Sequence, residues 1–193
     1  MNFNIVVGNP PYQVVDGGAG ASSIPIYNLF IEISQKVSSE LVSIISPARW
    51  MIGGKGLDDF RMKMLNDNHF MRLTNFTNSF DVFDGVDIMG GISFFTWDKL
   101  LEKKCHIITH NSNGQIENTE RFLSEDGFNT FVRNEMCLEI YNKIKDKYTE
   151  SFSQLVAKQK PYGLRTDFFK DPKKYGLPNI SESPINDGYS ILG

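Results

Sequence analysis

Val6-Val7-Gly8-Asn9-Pro10-Pro11-Tyr12-Gln13 sets how this chain is read: an apolar strand end runs directly into a stiff, aromatic-tipped turn close to the amino terminus. Asn4 to Val7 is a short apolar run, Gly8 lets the backbone leave a sheet without a side-chain clash, and two successive prolines fix φ over the residues that follow. That stiffness holds three groups in one constellation: the amide oxygen of Asn9, the carbonyl oxygen of Pro10, and the flat face of Tyr12. Two convergent acceptors suit an –NH2 whose hydrogens point at them, and an aromatic face suits the planar ring that carries the nitrogen. The fitting ligand is an exocyclic amine on a base. Its lone pair is delocalised into the ring, and accepting both hydrogens from a fixed direction frees that pair for attack on an electrophilic carbon. A proline-rich strand-exit turn without chemical purpose is the competing reading of the same residues.

Downstream of the turn, Asp16 to Ser23 is rich in glycine, alanine and serine and reads as a loop beside it. Ser23 is placed to cap a helix with Pro25 in its first turn, and Ile26, Phe30, Ile33 and Val37 recur at helical spacing opposite Glu32, Gln35 and Lys36. Leu41 to Ser46, stopped by Pro47, has the near-continuous apolar character of a strand buried on both faces, so strand, helix and strand form a parallel crossover. Gly53-Gly54-Lys55-Gly56 then opens a helix with Leu57, Phe60 and Met64 on one face. A glycine-lysine helix start can receive a phosphate, but the spacing is not that of a P-loop, and a loop lining a cleft is the preferred reading. His69 to Phe76 and Ile92 to Trp97 read as a final pair of strands around a long loop centred on Phe83-Asp84-Gly85. The expectation is four strands whose carboxyl ends open on one edge, where ligands bind in such folds. Arg49 and Trp50 are expected to pack and cap.

Asn-Pro-Pro-Tyr resembles the catalytic motif of the S-adenosylmethionine-dependent amino-methyltransferases, above all the DNA adenine-N6 methyltransferases of restriction-modification systems. The run from Arg49-Trp50 through Gly53-Gly54-Lys55-Gly56-Leu57-Asp58-Asp59-Phe60-Arg61 to Val82-Phe83-Asp84-Gly85-Val86-Asp87 is similar to the later motifs of the same enzymes. The resemblance implies S-adenosylmethionine as methyl donor, double-stranded DNA with a flipped adenine as substrate, Asn9, Pro10 and Tyr12 as catalytic residues, and Phe83 against the base face opposite Tyr12. Phe83 as a core aromatic is the bland alternative. Release-factor and RNA guanine methyltransferases carry the motif too. An RNA or protein amino-methyltransferase therefore stays open, as does a non-catalytic DNA-binding or assembly module.

Beyond Trp97 the character changes. Lys104 to Thr109 and Gln115 to Arg121 flank Asn111-Ser112-Asn113-Gly114, a hairpin signal, and Val132 to Lys147 carries Met136, Ile140 and Ile144 at four-residue spacing. From Phe152 onward lysines and arginine alternate with aromatics, and Lys158, Lys160 and Arg165 are the candidates for contact with a nucleic-acid backbone, against the reading of a solvated basic surface. Pro161-Tyr162-Gly163-Leu164-Arg165-Thr166 resembles the entry to a target-recognition region. The fold class expected is α/β: the catalytic half of a Rossmann-like S-adenosylmethionine-dependent methyltransferase sheet over 1–100, a mixed α+β connector over 101–150, and the start of a target-recognition region over 151–193.

A formal net charge of -3 over 193 residues makes the whole surface no magnet for polyanions, so any nucleic-acid contact is local. No run is long enough to span a membrane and no leader pattern opens the chain, which points to the cytoplasm. The two cysteines, Cys105 and Cys137, are far apart and read as free thiols; Cys105 with His106 and His110 falls short of the closed ligand set zinc requires. A glycine-rich donor loop after a first strand, with an acidic residue after a second, is not found in the sequence. The chain is therefore expected to be a truncated catalytic half, inactive by itself for lack of the cofactor-binding half unless another polypeptide supplies it.

Overall fold

The computed structural model describes residues 3–15, 23–124, 128–147 and 155–156. Its first compact unit, Met1–Lys143, carries the architecture relevant here. β1 (Phe3–Gly8) leads through a two-stranded antiparallel ribbon of β2 (Gln13–Val15) and β3 (Ser23–Pro25) into α1 (Tyr27–Val37) and β4 (Ser38–Pro47). A 3-10 turn, Ala48–Met51, precedes α2 (Asp58–Asn66), β5 (Phe70–Phe76), β6 (Ile92–Asp98), β7 (Cys105–His110), β8 (Ile116–Arg121) and α3 (Glu135–Ile144). Among the described residues the main sheet has six strands in the order β1-β4-β6-β5-β7-β8. β1 is parallel to β4 and β5 to β7, whereas β6 runs antiparallel to both β4 and β5.

One face of the sheet makes the core. Alternation along the strands puts Val42, Ile44, Leu73, Phe95, Trp97 and Ile107 on that face, buried against Tyr27 and Ile31 of α1, Phe60, Met64 and Leu65 of α2, and Trp50 and Met51 of the turn. The Trp50 and Phe60 rings meet edge to face at 6.3 Å, and Trp50 Nε1 donates to Ser93 Oγ at 3.4 Å. Each fully buried large side chain of this kind contributes roughly 1.5–3 kcal/mol. Trp50 thus packs, as its sequence context suggested.

Several elements differ from the sequence reading. Ser23 caps no helix: Ser23–Pro25 pairs with β2, and α1 starts at Tyr27 behind Ile26 without a side-chain cap. The buried stripe of α1 is Tyr27, Ile31 and Ser34, one position round from the expected face, and Phe30 and Ile33 are exposed. The aromatic Tyr27 supplies the anchor that aliphatic spacing alone misses. β4 is buried on one face only, since Leu41, Ser43 and Ile45 stay partly accessible. In α3 it is Leu138 that is buried, with Met136 and Ile140 exposed. Carboxyl ends of β1, β4, β5 and β7 share one edge of the sheet, but β6, antiparallel between β4 and β5, presents its amino end there. The β7–β8 hairpin, whose Asn111 N–H donates to Gln115 O across the turn, extends the same sheet through parallel pairing with β5.

Candidate active site

Three loops leave the carboxyl ends of β1, β4 and β5 and enclose a cleft of about 580 Å³, within the range of small-molecule sites. The first supplies Asn9, Tyr12 and Gln13, the second Arg49 and Lys55, the third Phe83 and Val86 to Met89; Tyr27 and Pro47 also line it. Asn9, Tyr12 and Phe83, far apart in sequence, therefore share one cavity. Phe83 is half-buried in this wall and takes no part in the core cluster.

Each loop is held by specific bonds. The Tyr12 carbonyl accepts from Ile26 N at 3.2 Å, fixing the Asn-Pro-Pro-Tyr turn against the start of α1. Asn9 is exposed and its amide makes no hydrogen bond to another described residue, so both of its polar atoms face ligand or solvent. The Tyr12 hydroxyl is buried without a hydrogen-bond partner among the described residues, and burial pushes its pKa up. Burial also raises the Tyr27 phenol, the larger effect, against weaker opposing influences from Trp50 and Arg49. Both phenols are neutral at physiological pH. Lys55, at φ 51 between Gly54 and Gly56, donates to Ser23 O at 3.0 Å and Ser23 Oγ at 3.2 Å, clasping β3 across the cleft.

The loop bearing Phe83 is organised by a residue the sequence reading passed over. Ser79 Oγ donates to Val86 O and accepts from Ile88 N, both at 2.9 Å, and the Phe83 N–H donates to Ser79 O at 2.9 Å. Asn78 Oδ1 accepts from Phe80 N at 3.2 Å, the short-range bonding that Asn-Ser pairs favour, and this was the available signal. At the loop's end Gly91 has φ +80, and a Cβ there would overlap the Phe76 carbonyl oxygen. Beneath the cleft, Arg133 Nη2 donates to Ala48 O at 3.1 Å and Gly90 O at 2.8 Å, tying the second loop to the third. Burial holds the Arg133 pKa down to about 10, still leaving it charged. Nothing in the local sequence marks this arginine.

The described residues do not build a site for S-adenosylmethionine. Gly53-Gly54-Lys55-Gly56 does follow β4 into α2, but any side chain on Gly53 would strike the Arg61 guanidinium, and Lys55 is engaged by Ser23. β5, the next strand, exits through Thr77, Asn78, Ser79 and Phe80, with no acid at the strand end where a ribose is held; the acids of its loop, Asp81, Asp84 and Asp87, come later. Of the other candidates, His106 hydrogen-bonds Asn118 and His110 stacks on Phe76 at 4.3 Å, while Cys105 is buried with its pKa pushed up to about 12 by that burial. Lys158, Lys160, Arg165 and the 161–166 stretch lie outside the described residues. No described helix is long and apolar enough to cross a membrane.

Residues 1–83 match the family described as Eco57I restriction-modification methylase. The match covers the Asn-Pro-Pro-Tyr turn, the Arg49 and Lys55 loop, and ends on Phe83. A curated relative described as an uncharacterized adenine-specific methylase, from Mycoplasma pneumoniae, is 28% identical over 155 residues, covering 75% of this chain and 37% of that protein. The chain thus spans well under half the length of this methylase. Among solved structures, the type I restriction-modification methyltransferase subunit from Streptococcus thermophilus aligns over 78% of this chain and 33% of its own at 14% identity and TM-score 0.42. A modification subunit of a putative type I restriction enzyme from Vibrio vulnificus YJ016 aligns over 82% and 36% at 10% identity, also at TM-score 0.42.

Proposed function

We propose that this chain is the catalytic half of a restriction-modification DNA methyltransferase that transfers a methyl group from S-adenosylmethionine to N6 of adenine. The observation that carries the reading is the meeting of Asn9, Tyr12 and Phe83 in one cleft at the carboxyl ends of β1, β4 and β5. The methylase match over residues 1–83 and the adenine-specific relative support the same chemistry.

In this reading the chain's own residues bind and orient. The Asn9 amide oxygen and the Pro10 carbonyl oxygen accept the two hydrogens of the adenine amine, turning its lone pair toward the incoming carbon. Tyr12 and Phe83 stack on opposite faces of the flipped base. Extrusion from the duplex costs a few kcal/mol, and stacking at about 1–3 kcal/mol per aromatic offsets much of it. The methyl donor is held by a polypeptide that supplies the cofactor-binding half, and the assembled enzyme works on double-stranded DNA in the cytoplasm. Lys158, Lys160 and Arg165 add backbone contacts.

Asn9→Ala, measured in the protein complete with its donor-binding half, abolishes methylation and leaves DNA affinity nearly intact, because the amide acts at the reacting centre. A mutant that keeps most of its turnover removes Asn9 from this role. Tyr12→Phe is mild, since the hydroxyl has no hydrogen-bond partner among the described residues and the ring does the stacking, whereas Tyr12→Ala weakens both binding and turnover. Offering DNA, RNA and release factor side by side separates this reading from the other amino-methyltransferases. Methyl transfer by the chain once it is joined to its donor-binding half separates it from a bare assembly module.

A further inference from the structure

We infer that Arg49 is a phosphate-binding residue of the cleft, holding a phosphodiester that flanks the extruded base; this rests on the DNA reading above. The sequence context suggested a packing or capping arginine; its side chain does pack into the cleft wall as far as a buried Nε, but its guanidinium caps no carbonyl among the described residues. Its backbone is fixed from several sides. The Arg49 carbonyl accepts from Ile52 N at 3.2 Å and Gly53 N at 3.0 Å, Ala48 N donates to Gly91 O at 2.9 Å, and Gly90 packs so closely that a Cβ there would lie 3.4 Å from Arg49 Cα. The side chain enters the cleft that Asn9, Tyr12 and Phe83 line. There, among the described residues, its Nη1 meets only the Met89 sulfur, a weak acceptor, at 3.5 Å, and its Nε is buried with no hydrogen-bond partner.

Among the described residues no carboxylate forms an ion pair with Arg49; Asp87 lines the same cleft but is exposed and not paired with it. A pinned, part-buried guanidinium with unspent donors is costly until an anion arrives, and its planar fork matches phosphate oxygens two at a time. Lys55, though its ammonium is bonded to Ser23, adds to the positive potential of the same wall. A base that leaves the duplex carries its flanking phosphates to the mouth of the pocket that receives it, which makes the nucleic-acid backbone the anion that this pair of cations meets.

The test uses the complete enzyme and duplexes with one target adenine, in which the phosphate on its 3′ or 5′ side is replaced by a neutral methylphosphonate. For the wild type, neutralising the contacted phosphate weakens binding about tenfold or more. Arg49→Met loses a similar factor on native DNA and is then indifferent to the same methylphosphonate, and its slope of log affinity against log salt is shallower by about one. Arg49→Lys retains the slope with intermediate affinity, which excludes a folding defect as the cause. Penalties that simply multiply in the Met variant overturn the inference. So does a variant that raises KM for the methyl donor alone, which would place the donor's carboxylate on Arg49. A wild-type enzyme that neither binds duplex DNA nor methylates its adenine removes the DNA reading itself, whereas methylation with multiplying penalties removes only the role of Arg49.

Discussion

Ser79→Ala tests whether the Phe83 loop is a built part of the cleft. Ser79 is 3% exposed, and its hydroxyl serves the Val86 carbonyl and the Ile88 N–H at once. Losing both bonds costs about 1 kcal/mol each, and leaving the Ile88 N–H without a partner adds up to about 2 kcal/mol, so the closed loop is destabilised by about 2–4 kcal/mol. The sheet need not bear that loss, because Asp84 to Asp87 are exposed and the loop can open by itself. The opening equilibrium then shifts by about 30-fold to several hundred-fold. Amide hydrogen exchange reads this directly: Phe83 and Ile88 lose protection by that factor, while the amides pairing β4 with β6 are unchanged. If Phe83 stacks on the base as proposed, methyl transfer by the complete enzyme falls by up to the worth of one stacking face, about 1–3 kcal/mol. Protection at 82–88 that stays within threefold of wild type refutes the bridging role of Ser79. A uniform loss across the sheet refutes the independence of the loop.

Gly91→Ala forces a side chain at φ +80 into the Phe76 carbonyl and destabilises the protein by about 3 kcal/mol or more, seen as a lowered Tm; an unchanged Tm would mean the strand ends shift freely. Cys105 gives an alkaline signature. Its thiol ionises near 9 when unfolded and near 12 when folded, so unfolding releases a proton in that window and stability falls as pH rises through it, by up to about 1.4 kcal/mol per pH unit, being fully present below pH 9. Cys105→Ala flattens this slope in urea titrations at several pH values, and an unaltered slope would assign the loss to the buried tyrosines. Replacing Lys158, Lys160 and Arg165 together by Ala lowers affinity for DNA of any sequence and flattens the salt dependence by about one for each phosphate no longer neutralised; an unchanged salt slope leaves that stretch as solvated surface.

Whatever depends on neighbours in the chain was legible from the sequence. Val6 to Gly8 ending in Asn9-Pro10-Pro11-Tyr12 has little conformational choice, since proline fixes φ; the expected need for glycine at position 8 is not met, because a Cβ there would make only an ordinary 3.5 Å contact with Ile44 and the backbone is not left-handed. The Asn113-Gly114 hairpin and the buried Phe60 and Met64 of α2, with Leu57 just ahead of the helix, are likewise short-range patterns, and the structure carries both. Which stripe of α1 goes inward was settled by packing across the fold, because Tyr27 and Phe30 are comparable anchors until β4 offers Val42 and Ile44 to pack against. The place of β6 between β4 and β5 is a pairing between distant segments that no window of sequence contains. Through that pairing the exits of β4 and β5 bring Arg49 and Phe83 to the cleft with Asn9, held by the Ser79 hydroxyl and the Arg133 guanidinium. Backbone preference is encoded locally, but the side chains that complete a site come together only when long-range strand pairing sets the distance between loops.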